Sequence, residues 1–194
     1  MAAIVFGLAR RVRLPSLVER HSSTVVLGLF AFVNGVIAIG LMAVAALVTG
    51  QPFIFPSLGP TAFLLFYTPL LPAACPRNTL GGHAIGALAG YLSLVVFGLT
   101  NNAPALVEGV AWSRAGAAAL SLGLTSGAMV WARVPHPPAG ATTLIVSLGI
   151  LREPWQLVVL MFAVVLLVVQ GYVINHLAGI EYPRWRPVPA PAAT

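Results

Sequence analysis

Charged residues are confined to a few positions along this chain, and long apolar runs lie between them. No Asp, Glu, Lys or Arg occurs between Arg20 and Arg77, and further uncharged runs cover 78–107, 115–132, 134–151 and 154–180. A bilayer core takes about 20 apolar residues to span, so each run holds one span and the first holds two. Unbroken apolar sequence predicts ordinary helical spans at about 23–49, 79–99, 113–132 and 155–177.

Two segments break this pattern. "PFIFPSLGPTAFLLFYTPLL" (52–71) and "RVPHPPAGATTLIVSLG" (133–149) both place proline and glycine first and apolar helix formers behind. Proline is tolerated in the first turn of a helix and breaks its interior, so each segment is expected to start extended and become helical partway in. Residues 53–58, extended at ~3.3 Å each, and 60–71, helical at ~1.5 Å each, together cover a hydrocarbon core of about 30 Å. Residues 133–138 and 139–151 divide in nearly the same way.

The two broken segments also match each other. At an offset of 81 residues Pro56, Gly59 and Thr61 fall on Pro137, Gly140 and Thr142, so both read P-x-x-G-x-T. The same offset aligns Gly35 with Gly116, Gly90-Tyr91 with Gly171-Tyr172, and Gly98 with Gly179. This predicts two repeats, about 23–99 and 112–179, each consisting of a span, a broken segment and a span. Crossing broken segments give six crossings and inverted repeats, whereas re-entrant ones give four crossings and parallel repeats. With the amino terminus inside, six crossings place Arg10, Arg11, Arg13, Arg20, Arg77, Arg133, Arg184 and Arg186 inside and only Arg114 and Arg152 outside. The excess of positive charge on the inner side favours six.

Composition agrees with a membrane protein: 59% of residues are hydrophobic, 7% are charged, and the mean hydropathy is +0.95. The expected fold is all-α. It has a basic cytoplasmic segment at 1–22, a single transmembrane domain at 23–180 and a Pro-rich cytoplasmic tail at 181–194. The first span is too long for a signal-peptide core and is expected to be retained. The formal charge of +6 comes from arginines at the ends of apolar runs, where they set topology and meet anionic lipid headgroups, so no nucleic-acid partner is expected. The one cysteine, Cys75, excludes an internal disulfide or a cysteine metal cluster.

Extended backbone at membrane depth must be buried in protein or line a wet cavity, because lipid cannot satisfy its N–H and C=O groups. In an inverted repeat the two half-helix amino termini meet near the midplane, presenting unpaired N–H groups and partial positive charge to an anion. Around them lie the candidate substrate-binding residues: Ser57, Gly59, Thr61, His136, Pro137, Pro138, Gly140 and Thr142. The glycines allow close approach, and the threonines offer hydroxyls that either bind a ligand or cap the helices. His136 either donates to an anion and carries a proton, or fixes the extended strand by bonding a backbone carbonyl. In "PRNTLGGH" (76–83), Asn78 or Thr79 can cap the helix, and Arg77, Asn78 and His83 are candidate pathway residues. Asn34, Gln170, Asn175 and His176 are assigned to interhelical or interfacial hydrogen bonding. Paired carboxylates, G-x-S-x-G, H-E-x-x-H and Walker A patterns are missing, and the four histidines lack ligand spacing, so no enzyme, metal or cofactor is expected.

The motifs "HPPAGATTL" (136–144), "SLGPTAFLLF" (57–66) and "PRNTLGGH" (76–83) resemble the HPP family of integral membrane proteins, over residues of about 20–186. That resemblance implies a membrane protein with about four predicted spans and a transport role, associated with nitrite in plastid and cyanobacterial members. It matches the family's motif at His136, Pro137, Pro138 and Gly140. No CBS pair of the kind some bacterial members carry is recognised, so regulation through one is not expected. The resulting expectation is a bacterial inner-membrane transporter of a small monovalent anion, nitrite first, bound between the half-helix amino termini. Membrane lipids and further copies of the chain are its expected partners. The alternative is a non-transporting scaffold or accessory subunit.

Overall fold

A computed structural model describes residues 13–187, and every regular element among them is helical. Arg10, Arg11, most of the basic segment 1–22 and the tail beyond residue 187 lie outside the described residues.

Helix α1, Leu14–Arg20, precedes α2, Ser23–Thr49, which stops at Gly50 in the left-handed conformation (φ 66°). Helix α3, Leu58–Tyr67, follows an irregular stretch at 52–55 and a turn at 56–57, and a 3-10 turn at Pro72–Ala74 leads into α4, Pro76–Val96. A short helix, α5 at Ala105–Glu108, precedes α6, Trp112–Trp131. Helix α7, Ala139–Ser147, and α8, Pro154–Leu177, complete the order. Proline in the first turn sets the starts of α1, α4 and α8, and at α8 Glu153 and Gln156 form a reciprocal capping box.

Helices α2, α4 and α8 are each long and apolar enough to cross a membrane. Helix α6 has 20 residues but is interrupted by Ser, Gly and Arg114. Helices α3 and α7 have 10 and 9 residues, so at ~1.5 Å per residue each covers about half of a ~30 Å core. Both end before the expected 71 and 151: Pro69 follows Thr68 at the first, and Gly149 adopts φ 79° at the second. The expected caps of α4 also differ, because Pro76 starts the helix, Cys75 is its N-cap, and Asn78 instead donates to the Pro72 carbonyl at 2.8 Å.

Contacts fix the chain directions. Arg77 bonds the Ala132 and Arg133 carbonyls, while Phe97 packs on Gly116, so α6 runs antiparallel to α4. The Arg77 amide donates to the Trp185 carbonyl and the Tyr182 hydroxyl to that of Ala74, which places the exit of α8 beside the start of α4. At the same end, the Leu14 amide bonds the Ala178 carbonyl. From here residues 133–148 descend along α4. Val134 meets Gly81, His136 meets Gly82, Ala139 meets Gly86 and Val146 meets Gly90, and the Leu148 carbonyl takes the Ala105 amide at the far end. Helix α3 runs the other way, with Phe66 against Phe30 near the start of α2 and the Leu65 carbonyl bonded by Asn175 near the end of α8.

Each short helix packs on the first long helix of its own half and on the last long helix of the other half: α3 on α2 and α8, α7 on α6 and α4. A single offset relates the contacts. A Cβ at Gly90 would meet Val146 and one at Gly171 would meet Leu65, and both pairs of equivalent positions differ by 81. The second interface is looser, with a nearest approach of 3.1 Å at Gly171 against 2.7 Å at Gly90. Gly82, Gly86 and Gly90, spaced four apart, let α4 and α7 touch backbone to backbone: a Cβ at Gly86 would sit 2.7 Å from the Ala139 carbonyl oxygen.

Candidate functional site

Where α3 and α7 begin, four polar side chains converge on the face of α4. Thr61 and Thr142 occupy equivalent places, one turn into α3 and α7, and His83 lies between them about two turns into α4, just after Gly81 and Gly82. His83 Nε2 is 2.9 Å from Thr61 Oγ1, and its Nδ1 is 2.7 Å from Thr142 Oγ1. His136, at the end of the extended stretch before α7, brings its Nε2 to 3.2 Å from both Thr61 Oγ1 and His83 Nε2. Its other nitrogen, Nδ1, faces the Ala73 carbonyl at 2.7 Å. The Thr61 hydroxyl also lies 3.0 Å from the Ser57 carbonyl, to which it donates. All four side chains are 0% exposed.

The ring nitrogen of His136 facing a carbonyl must carry a hydrogen, so in the neutral ring Nε2 is an acceptor. With both rings neutral the cluster owns four hydrogens: one on each threonine and one on each imidazole. It makes six short polar contacts, two more than those hydrogens can fill. The site therefore has spare acceptor capacity and no negative charge.

The structure brings together Thr61, His83, His136 and Thr142 and keeps the other sequence candidates apart from them. Ser57 contributes its carbonyl, and its own buried hydroxyl has no hydrogen-bond partner among the described residues. Pro138 is the buried N-cap of α7, while Pro137 is exposed. Gly140 rests on Leu122, and Gly59 is exposed, with open space where a Cβ would stand. Arg77 caps the carbonyl end of α6, and Asn78 holds the 3-10 turn. The first N–H groups of α7 are not free for a ligand, because Ala139, Gly140 and Ala141 donate to the carbonyls of His136, Pro137 and Pro138 at 3.0–3.1 Å. Consecutive prolines tighten that turn, so side chains line the junction in place of backbone donors.

Two features escape a linear reading. The Ala73 carbonyl fixes the His136 ring, and no sequence signal marks a backbone acceptor. Arg114, expected as an outer topology marker, is 3% exposed and donates to the carbonyls of Ser147 and Ala103 at 3.3 and 2.9 Å. Among the interhelical candidates, Asn175 reaches another helix, Asn34 bonds its own helix at Phe30, and the buried Gln170 amide has no hydrogen-bond partner among the described residues. Among the described residues no group of three or more His, Cys, Asp or Glu comes together.

The family model for the HPP transmembrane region matches residues 20–183, which include every residue of this cluster. Two transmembrane proteins of Dictyostelium discoideum are similar over shorter stretches. One is 31% identical over 100 residues, 52% of this chain and 31% of the relative; the other is 33% identical over 93 residues, 48% and 27% respectively. The chain thus matches about a third of the length of these relatives. No solved structure matches it. With a family match that covers most of its length and its polar cluster, this multi-pass membrane protein belongs to the HPP transmembrane family.

Proposed function

We propose that the chain carries a small monovalent inorganic anion, nitrite first among candidates, across a bacterial inner membrane through the junction of α3 and α7. The observation that carries this reading is the meeting of Thr61 and Thr142 on one buried imidazole, His83, in a region whose only polar groups are neutral. An anion would draw hydrogens that the hydroxyls and imidazoles now give to protein acceptors, the positive ends of two helices favour one, and no carboxylate competes. The opposite directions of α3 and α7, and the course of 133–148 along the whole of α4, support six crossings built as two inverted repeats. Arg13, Arg77, Arg133 and Arg184 gather at one end and Arg114 and Arg152 at the other, which supports cytoplasmic termini. Pro56, Gly59 and Pro60 are exposed in the single chain next to irregular backbone, which supports assembly with further copies.

Reconstituted protein should pass at least one of nitrite, nitrate, formate, chloride and bicarbonate, and absence of flux for all five would overturn the reading. The scaffold alternative draws on the complete burial of the cluster, in which each side chain already has a protein partner. It requires that no anion crosses and that His136→Ala, if folded, leaves the cellular role intact.

A further inference from the structure

We infer that His83, His136 and Thr61 form a binding site for a first-row transition-metal ion, with Zn²⁺ or Cu²⁺ the best-suited class. His83 Nε2, His136 Nε2 and Thr61 Oγ1 form a triangle with sides of 2.9, 3.2 and 3.2 Å. The corners of such a triangle lie about 1.8 Å from its centre, so an ion about 1 Å above the plane sits about 2.0–2.1 Å from all three, the usual metal–imidazole and metal–oxygen distance.

Ring orientation is consistent with the same point. At about 2.05 Å per bond, the 3.2 Å separation of the two nitrogens corresponds to an N–metal–N angle of about 103°, near tetrahedral. The ring centroids are 4.8 Å apart. Imidazoles whose lone pairs converge on one ion at about 100° place their centroids about 4.9 Å apart, whereas a straight N–H···N bond of that length would place them about 5.5 Å apart.

The outer bonds are compatible with an ion. With an ion taking the three contacts inside the triangle, three contacts remain: Thr61 to the Ser57 carbonyl, His83 Nδ1 to Thr142 and His136 Nδ1 to the Ala73 carbonyl. Three of the cluster's four hydrogens fill them, the fourth staying on the Thr142 hydroxyl, and both outer imidazole bonds are the kind that orient metal-binding histidines. Sequence spacing cannot reveal this set, because His83 and His136 belong to different halves and the third ligand is a hydroxyl. Three ligands leave a tetrahedral ion with an open position, and the positive ends of α3 and α7 favour an anion there.

Detergent-purified protein, stripped with a chelator and titrated with Co²⁺ and then Zn²⁺, is expected to bind a single ion per chain with a tetrahedral Co²⁺ spectrum. Thr142→Val should weaken binding about 10–100-fold by freeing the outer nitrogen of His83, and His83→Gln and His136→Gln should weaken it further. X-ray absorption on the wild-type zinc form tests the ligands without any variant: two imidazoles and no sulfur are expected. Absence of saturable binding, a sulfur ligand, or unchanged affinity in a folded His83→Gln or His136→Gln variant would overturn the inference. None of these readouts involves flux, so metal binding and anion transport stand or fall separately.

Discussion

Thr61 and Thr142 are 81 residues apart and bind opposite nitrogens of one imidazole, that of His83, at 2.9 and 2.7 Å. Equivalent positions in two halves of the chain thus share a single non-equivalent residue. By the same offset the place of His83 in the second half is taken by Val164, and that of His136 in the first by Phe55. The matched threonines thus meet chemistry that lies on one side of the offset only.

That sharing makes the cluster one unit. Thr61→Val and Thr142→Val should each lower anion flux, and the double variant should lose little more than the worse single one, because groups acting together are not additive. Initial rates in liposomes check this; multiplicative losses would mean that the hydroxyls act independently.

Packing gives a matched pair of expectations. Gly86→Ala would place a methyl 2.7 Å from the Ala139 carbonyl oxygen, whereas the same change at Gly35 meets nothing within 4 Å. The first should cost about 1–3 kcal/mol by overpacking, and the second should stabilise by up to about 1 kcal/mol through helix propensity. Thermal melts in detergent should separate the two in opposite directions.

Arg114 holds the carbonyl end of α7 through Ser147 and ties it to Ala103. Arg114→Ala should therefore destabilise the protein by about 2–4 kcal/mol, since a hydrogen bond to a charged group contributes about 1.5–3 kcal/mol. Arg114→Lys should rescue little, because one ammonium cannot reproduce the two-armed fork. A denaturation series on the three proteins measures both effects.

Cys75 is buried at the start of α4, and burial pushes its thiol above the ordinary range. The thiol should stay protonated at neutral pH and react slowly with maleimide in the folded protein. Labelling should become fast only on denaturation, a comparison that mass spectrometry makes directly.

Much of this architecture was legible in the sequence because proline and apolar length are strong local signals. The apolar run at 23–49 became α2 with the same limits, and the prolines at 56 and 137–138 marked the starts of α3 and α7 within two residues. His136 stood out as an imidazole among prolines. Its partnership with His83 did not, because α7 packs on the last long helix of the other half and a linear offset only pairs residues with their own equivalents. The half-helices end at Tyr67 and Ser147, short of their apolar runs, because Pro69 and Gly149 turn the chain although 68–71 and 148–151 are apolar enough to read as helix. Arg114 reads in the sequence as a boundary marker because the carbonyls that accept its hydrogens leave no trace in composition.

The central claim is that anion passage runs through the imidazole pair, and nitrite uptake into proteoliposomes under an imposed pH gradient tests it most directly. Wild-type protein should load nitrite faster than protein-free vesicles, and folded His136→Ala should fall to their level. Equal uptake by wild type and His136→Ala, or wild-type uptake no faster than empty vesicles, would contradict it.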